Sequence, residues 1–210
     1  MKIVIFTSDH IRHKYFARRI LEAFPNCVAK IYLEKRTYVP REVGKTLEDE
    51  EVLSWHFDLR DEMEVRFFSK LADKGFGATS VSTPEYGELS EPTVLNEVKE
   101  IDPDVIVVFG TSVIKDPVIE AFPGKIINLH LGISPYYRGS GTNFLALYNE
   151  EPEYVGATIY YLDKGIDTGK IIHHARPDIE IGDNQHSIGC KAIMRGTDKM
   201  IKTIEEMENH

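Results

Sequence analysis

The stretch KIINLHLGISPYYRG, residues 125–139, indicates both the fold and the position of a site. Its first residues form an apolar run that is typical of a buried parallel strand. Asn128 and His130 stand two positions apart at the end of this run, so their side chains project to the same side of the strand. In open parallel sheets, ligands bind beyond the carboxyl ends of the strands. We therefore predict that this amide and this imidazole face a ligand at the edge of a sheet.

A second polar cluster, DKGIDTG at residues 163–169, supplies a carboxylate that can join them. Asp167 stands between two glycines, in a loop that can fold back toward His130. An amide, an imidazole and a carboxylate are what acyl transfer to an amine needs: an oxyanion donor, a proton carrier and an orienting group. Taken alone, each of these residues also has a purely structural explanation, because Asn-x-His at a strand end and Asp beside glycine are common in turns.

The rest of the chain predicts an α/β fold, a Rossmann-like and mostly parallel sheet flanked by helices, in one domain spanning residues 1–210. A strand at 2–6, a helix at 11–24 and a strand at 28–33 form a βαβ opening, which implies a right-handed crossover. Residues 35–57 are polar and are predicted to be a long loop with a partial helix, exposed except for Trp55 and Phe57. We expect this loop to help set the choice of substrate. A helix follows from about 61 to 74, and Asp183 is predicted to cap the last helix.

Composition and charge exclude several classes of protein. The net charge of −9 argues against a nucleic-acid partner, since such proteins usually carry a basic face. The apolar runs are only of strand length and there is no secretory signal, so we expect no membrane association and a cytoplasmic location. Two cysteines are too few for a disulfide framework. His173 and His174, with His186 and Cys190, could suggest a metal, but adjacent strand residues point to opposite faces, so we predict none.

The two clusters resemble the folate-dependent formyltransferases, which include glycinamide ribonucleotide transformylase, methionyl-tRNA formyltransferase and the sugar N-formyltransferases. That family shares N-x-H-x-S-L-L-P-x-Y-R-G followed by D-x-G-x-D-T-G-x-I. The residues in register are Asn128, His130, Pro135, Tyr137, Arg138, Gly139, Asp163, Gly165, Asp167, Thr168, Gly169 and Ile171. Three positions depart from the pattern. Gly132 replaces a common serine, Ser134 replaces a leucine, and Tyr160 stands where related enzymes often have histidine.

The resemblance implies that a formyl group moves from 10-formyltetrahydrofolate to a primary amine, with no metal. Asn128 and His130 would stabilise the charge on the formyl oxygen, and Asp167 would hold His130 protonated and accept the amine proton. Residues implied to meet the donor are Phe109, Gly110, Thr111, Asp163, Gly165 and Ile166. Candidates for the acceptor site are Arg12, Tyr137, Arg138 and Tyr160.

The acceptor expected from the sequence is a small-molecule amine, most simply a nucleotide-linked amino sugar of polysaccharide biosynthesis. The alternatives are another small amine such as glycinamide ribonucleotide, or a methionyl-tRNA-type substrate. We expect no C-terminal tRNA-binding domain, which disfavours the last of these. A folate-binding regulatory module without turnover is the non-enzymatic alternative, and a homodimer is left open.

Overall fold

The computed structural model describes residues 1–35 and 46–208. Its strands, in chain order, are β1 (Ile3–Ser8), β2 (Val28–Glu34), β3 (Ser80–Ser82), β4 (Val105–Phe109), β5 (Ile126–Leu131), β6 (Ala157–Tyr161) and β7 (Ile171–Ala175). Its α-helices are α1 (Ile11–Ala23), α2 (Leu47–Ala72), α3 (Pro92–Ile101), α4 (Asp116–Ala121), α5 (Thr142–Tyr148) and α6 (Gln185–Glu208). Two short 3₁₀ turns lie at Glu88–Ser90 and Pro152–Tyr154.

The strands form one sheet in the order β3-β2-β1-β4-β5-β6-β7. The first five strands are parallel, while β6 and β7 run antiparallel to their neighbours. Strand order reverses between β1 and β4, and such a reversal opens a crevice at the carboxyl ends of the strands. The predicted α/β architecture, a mostly parallel sheet flanked by helices, is confirmed.

Helices cover both faces of the sheet, which explains why its central strands are apolar throughout. In β1, Ile3 and Ile5 pack in the cluster that contains residues of α1, α2 and α6. Val4 and Phe6 pack in a second cluster with residues of α3 and α4. A strand buried on both faces has no solvent side, so alternation of polar and apolar residues disappears.

The prediction for residues 35–57 was wrong in part. Residues 36–45 lie outside the described part of the chain, but α2 begins at Leu47, so the segment from there to 57 is helical and not a loop. Trp55, predicted to be buried, is 60% exposed, whereas Phe57 is partly buried. Residues 51–55 are mostly exposed, so this stretch has no continuous apolar stripe that would mark a helix in the sequence.

The start of α6 also differs from the prediction. The side chain of Asn184, not that of Asp183, accepts the backbone N–H groups of His186 and Ser187, each at 2.9 Å. Asp183 instead accepts from the Ser187 hydroxyl and pairs with Lys191, both at 2.8 Å. The capping residue is thus one position later than predicted, because both residues are capping types and sequence alone does not rank them.

Candidate active site

Strand β5 carries Asn128 and His130 side by side at the carboxyl edge of the parallel sheet. β4 pairs with β5 on one side, and antiparallel β6 pairs on the other. This register sets Asn128 directly opposite Tyr160 and His130 opposite Thr158. The imidazole of His130 is buried, whereas Asn128 is partly exposed.

Asp167 comes from the loop between β6 and β7, which folds tightly back onto β6. A Cβ atom at Gly169 would lie 1.7 Å from the carbonyl oxygen of Tyr161 and 2.8 Å from the ring of Tyr160. Only glycine allows this approach, because real Cβ contacts are never so short. The backbone of Asp167 itself has a φ of 51°, a left-handed conformation that aspartate tolerates better than most residues.

The carboxylate of Asp167 is the centre of the cluster. Its Oδ1 accepts the hydroxyl of Tyr160 at 2.7 Å, and its Oδ2 accepts the backbone N–H of Gly139 at 2.7 Å. His130 Nδ1 lies 3.4 Å from the same Oδ2. Asn128 Nδ2 donates to the Tyr160 hydroxyl at 2.7 Å. The structure thus brings Asn128, His130 and Asp167 together, with Tyr160 between the amide and the carboxylate.

The second ring nitrogen of His130 faces the motif loop. Nε2 lies 3.0 Å from the carbonyl oxygen of Tyr137, so it donates to that carbonyl. Both ring nitrogens therefore meet acceptors, a carbonyl on one side and a carboxylate on the other.

Gly132 gives His130 the room that it occupies. The φ of Gly132 is +138°, and a Cβ there would lie 2.9 Å from His130 Nε2 and 2.8 Å from Thr142 Oγ1. A serine at this position would force the ring of His130 or the side chain of Thr142 to shift. Nearby, the Ser134–Pro135 peptide is cis. Within the described chain, the hydroxyl oxygen of Ser134 is the buried side-chain polar atom that has no hydrogen-bond partner.

The two loops implied to meet the donor lie side by side. Lys164 joins them, because its Nζ lies 3.3 Å from Asp116 and 2.5 Å from Glu120 at the start and end of α4. Ile166 is 70% exposed in one loop and Val113 is 77% exposed in the other. Exposed apolar side chains of this kind suit the flat face of a ring-shaped ligand.

The residues predicted to contact the formyl donor differ in how much of each is free to meet a ligand. The side chain of Phe109 is buried against His13 and Phe16, and its carbonyl oxygen accepts the Thr7 hydroxyl at 2.7 Å. Gly110 and Thr111 follow it at the carboxyl end of β4 and are partly exposed. In the other loop, Asp163 accepts the Gly165 N–H at 3.0 Å and the Thr168 hydroxyl at 2.8 Å. Phe109 therefore supports its loop from inside, whereas Asp163 is exposed and braces its own loop from the surface.

The four residues predicted to bind the acceptor differ in their exposure and in their partners. Arg138 is exposed, and no ion pair engages it within residues 1–35 and 46–208. Arg12 pairs with the buried Glu64 at 2.6 Å. The hydroxyl of Tyr137 bonds Glu151 and Asn149, which points it away from the cluster. Tyr160 is buried inside the cluster. Arg138 is thus the candidate best placed to meet a ligand.

Glu34 is a buried carboxylate that the sequence analysis missed. It ends the apolar strand β2 and is fully buried. It accepts the N–H and the hydroxyl of Ser112, both at 2.6 Å, and the N–H of Gly87 at 2.9 Å. These bonds hold the turn after β4. A carboxylate at the end of a mostly apolar strand was the available signal.

The residues considered for a metal have other partners. His173 pairs with Glu206 at 2.8 Å, and His174 lies 3.0 Å from the carbonyl oxygen of Ser134. Burial raises the pKa of the Cys190 thiol to about 12. Over the described ranges, no group of three or more histidine, cysteine or acidic residues is arranged to hold a metal ion. Nor does any described helix combine the length and apolarity needed to cross a membrane.

Comparison with known proteins decides the family. The family model described as Formyl transferase matches residues 62–204, a stretch that contains every member of the cluster. The chain belongs to the formyl transferase family. This assignment confirms the resemblance on which the sequence analysis relied.

The relatives and solved structures agree with this assignment. Methionyl-tRNA formyltransferase of Desulforamulus reducens is 34% identical over 112 residues, which cover 53% of this chain and 35% of that protein. The match thus spans about a third of the relative's length. The fold is shared with phosphoribosylglycinamide formyltransferase of Anaplasma phagocytophilum at a TM-score of 0.72 and 14% identity, covering 100% of this chain and 88% of that one. A sugar N-formyltransferase of Shewanella sp. has a TM-score of 0.61 and 14% identity, with 99% and 70% covered.

Proposed function

We propose that this protein transfers a formyl group from 10-formyltetrahydrofolate to a primary amine. The observation that carries the proposal is the convergence of Asn128, His130 and Asp167 at the carboxyl edge of the sheet, with His130 Nδ1 3.4 Å from the carboxylate. The exposed apolar side chains of Val113 and Ile166 support a folate beside them. When bound, the donor supplies an activated formyl carbonyl.

Each residue of the cluster has a task in this transfer. Transfer forms a bond between the amine nitrogen and the formyl carbon and breaks the bond from that carbon to the donor nitrogen. Asn128 donates a hydrogen bond to the formyl oxygen as negative charge develops there, and His130 donates a second one when its Nε2–H exchanges the Tyr137 carbonyl for that oxygen. Losing one such donor typically raises the barrier by about 3–4 kcal/mol. Asp167 takes the proton that the amine loses, directly or through water, and the proton ends on the donor nitrogen.

As the acceptor we propose a small amine, and first a nucleotide-linked amino sugar. Arg138 supports an anionic substrate, because it is exposed next to Gly139, whose N–H binds Asp167. The net charge of −9 disfavours a large polyanion such as tRNA. The sugar N-formyltransferase of Shewanella sp. shares the fold.

Two other acceptors follow from the names of the relatives. The 34% identity to a methionyl-tRNA formyltransferase favours an aminoacyl-tRNA. The likeness to phosphoribosylglycinamide formyltransferases favours glycinamide ribonucleotide, although at 14% identity it shows only the fold.

A panel of acceptors tests the proposal. Purified protein is mixed with 10-formyltetrahydrofolate and one amine at a time: several nucleotide-linked amino sugars, glycinamide ribonucleotide, or methionyl-tRNA. Formylated products are detected by mass spectrometry. Formylation of an amino sugar alone supports the first acceptor, and formylation of either of the others replaces it. If no amine is formylated although folate binds, the regulatory alternative is correct.

Two variants link turnover to the cluster, each with a matched control. Asp167→Asn should lower kcat by a hundredfold or more, on the order expected for a lost catalytic group. Asp102→Asn is its control, because Asp102 is an exposed aspartate with the same φ of 51° on the end of α3. Asn128→Ala should lose about a hundredfold, and its control is Asn96→Ala on the exposed side of α3. Wild-type kcat in either cluster variant would refute the mechanism.

A further inference from the structure

Tyr160 lies in the centre of the cluster and not in its open part. Its side chain is 2% exposed, and β6 holds it directly opposite Asn128 in the sheet. The loop that carries Asp167 packs on its ring through Gly169. An acceptor substrate would therefore contact little of this side chain, so Tyr160 is better suited to a role inside the cluster than to binding the acceptor.

The hydrogen bonds of Tyr160 can be assigned proton by proton. An ionised carboxylate only accepts hydrogen bonds, so the single hydroxyl proton of Tyr160 points to Asp167 Oδ1 at 2.7 Å. The phenol oxygen then has only acceptor capacity left for Asn128. It follows that Asn128 presents its NH2 group, at 2.7 Å, and not its carbonyl oxygen. The orientation of an amide is assigned from its partners in this way.

The phenol keeps its proton in this environment. Burial raises the pKa of Tyr160 above its usual value, and the hydrogen bond to the neighbouring carboxylate of Asp167 raises it further. The direction of the three-residue chain, from the Asn128 amide through the Tyr160 hydroxyl to the Asp167 carboxylate, is therefore the same across the physiological pH range.

We propose that Tyr160 is a positioning residue, whose hydroxyl fixes the amide orientation of Asn128 and the direction of the Asp167 carboxylate. Its role rests on the proposed formyl transfer. With the NH2 of Asn128 held at this edge, the second N–H of the same nitrogen is available to the formyl oxygen. Without the hydroxyl, the amide can rotate and offer an acceptor oxygen to a site that needs a donor.

Kinetics of Tyr160→Phe test this role. The variant removes one oxygen and keeps the ring that packs on Gly169. We expect kcat to fall by at least tenfold, while the KM values of donor and acceptor stay within twofold. Tyr161→Phe is the matched control, because it removes a hydroxyl from the next residue of the strand, on the opposite face of the sheet, and should keep wild-type kcat. Wild-type kcat in Tyr160→Phe, or a change in the acceptor KM alone, would overturn the inference.

Hydrogen exchange of side-chain amides gives a readout that needs no acceptor. In the wild-type protein, the NH2 of Asn128 should exchange at least tenfold more slowly than that of Asn96, an exposed asparagine on α3. Tyr160→Phe should remove this protection. Equal exchange at Asn128 and Asn96 in the wild type would refute the hydrogen-bond chain, even if the variant does not fold. Absence of formyl transfer by the wild type would refute the proposed function, whereas the exchange rates would still decide the bond.

Discussion

Gly132→Ala is the substitution that most directly probes the space around His130. The new Cβ would lie 2.9 Å from His130 Nε2 and 2.8 Å from Thr142 Oγ1. Thr142 cannot easily move, because it is buried and its hydroxyl is bound to the carbonyl of Leu131. The ring of His130 must therefore shift, and its contacts with Asp167 and with the Tyr137 carbonyl shift with it.

The expected loss of stability has two contributions, backbone strain and overpacking. A substitution at a second glycine measures the backbone strain alone. An alanine at the φ of +138° is strained by about 1–3 kcal/mol, and overpacking adds about 1–3 kcal/mol. Gly141 also has a positive φ, +71°, but a Cβ there meets nothing within 4 Å. Gly141→Ala should therefore show only the backbone strain, about 1–2 kcal/mol.

Two measurements check this prediction. Urea denaturation should show a larger fall in the free energy of unfolding for Gly132→Ala than for Gly141→Ala. Formyl transfer by Gly132→Ala should fall by about a hundredfold, since a displacement near 1 Å can have that effect, while Gly141→Ala keeps its rate. Equal stability and equal turnover of the two variants would show that His130 does not occupy the space described.

Three further predictions concern stability. Glu34→Gln places an amide NH2 next to a backbone N–H, so two donors face each other. Urea denaturation should show a fall of about 1.5–3 kcal/mol in the free energy of unfolding. An unchanged midpoint would contradict the buried contacts. Ser134→Ala removes an unpartnered hydroxyl and should stabilise by about 1–3 kcal/mol, whereas a loss would reveal a bond. Burial lowers the pKa of His56 and of His186 below 6.5, so the unfolded state binds more protons. Stability should be full above pH 6.5 and fall below it, by up to about 1.4 kcal/mol per pH unit for each proton. His56→Phe should flatten this slope in thermal melts, and Phe144→Leu in the same ring cluster should not.

The sequence predicted the parts of the site that depend on local pattern. The apolar run into Asn128 and His130 could be read as a strand, and parallel strands end at one edge, so their position followed. Asp167 could be placed near them because its flanking glycines allow a tight loop. These inferences need only strand periodicity and turn chemistry.

Other features depended on contacts between distant residues. Nothing near Tyr160 shows that β6 returns antiparallel and sets it opposite Asn128. Glu34 finds its partners at Ser112 and Gly87, far along the chain. Residues 51–55 of α2 are mostly exposed and carry no apolar stripe, so the sequence predicted only a partial helix in this segment.

The left-handed backbone of Asp167 is retained because of what its side chain binds. A glycine would adopt the φ of 51° without strain, but it would leave the buried Tyr160 hydroxyl and the Gly139 N–H without their acceptor. Each lost bond costs about 1–3 kcal/mol, which exceeds the strain of about 1 kcal/mol that glycine relieves. Laboratory evolution for heat resistance alone should therefore keep aspartate at position 167, so that selection for stability also preserves the carboxylate.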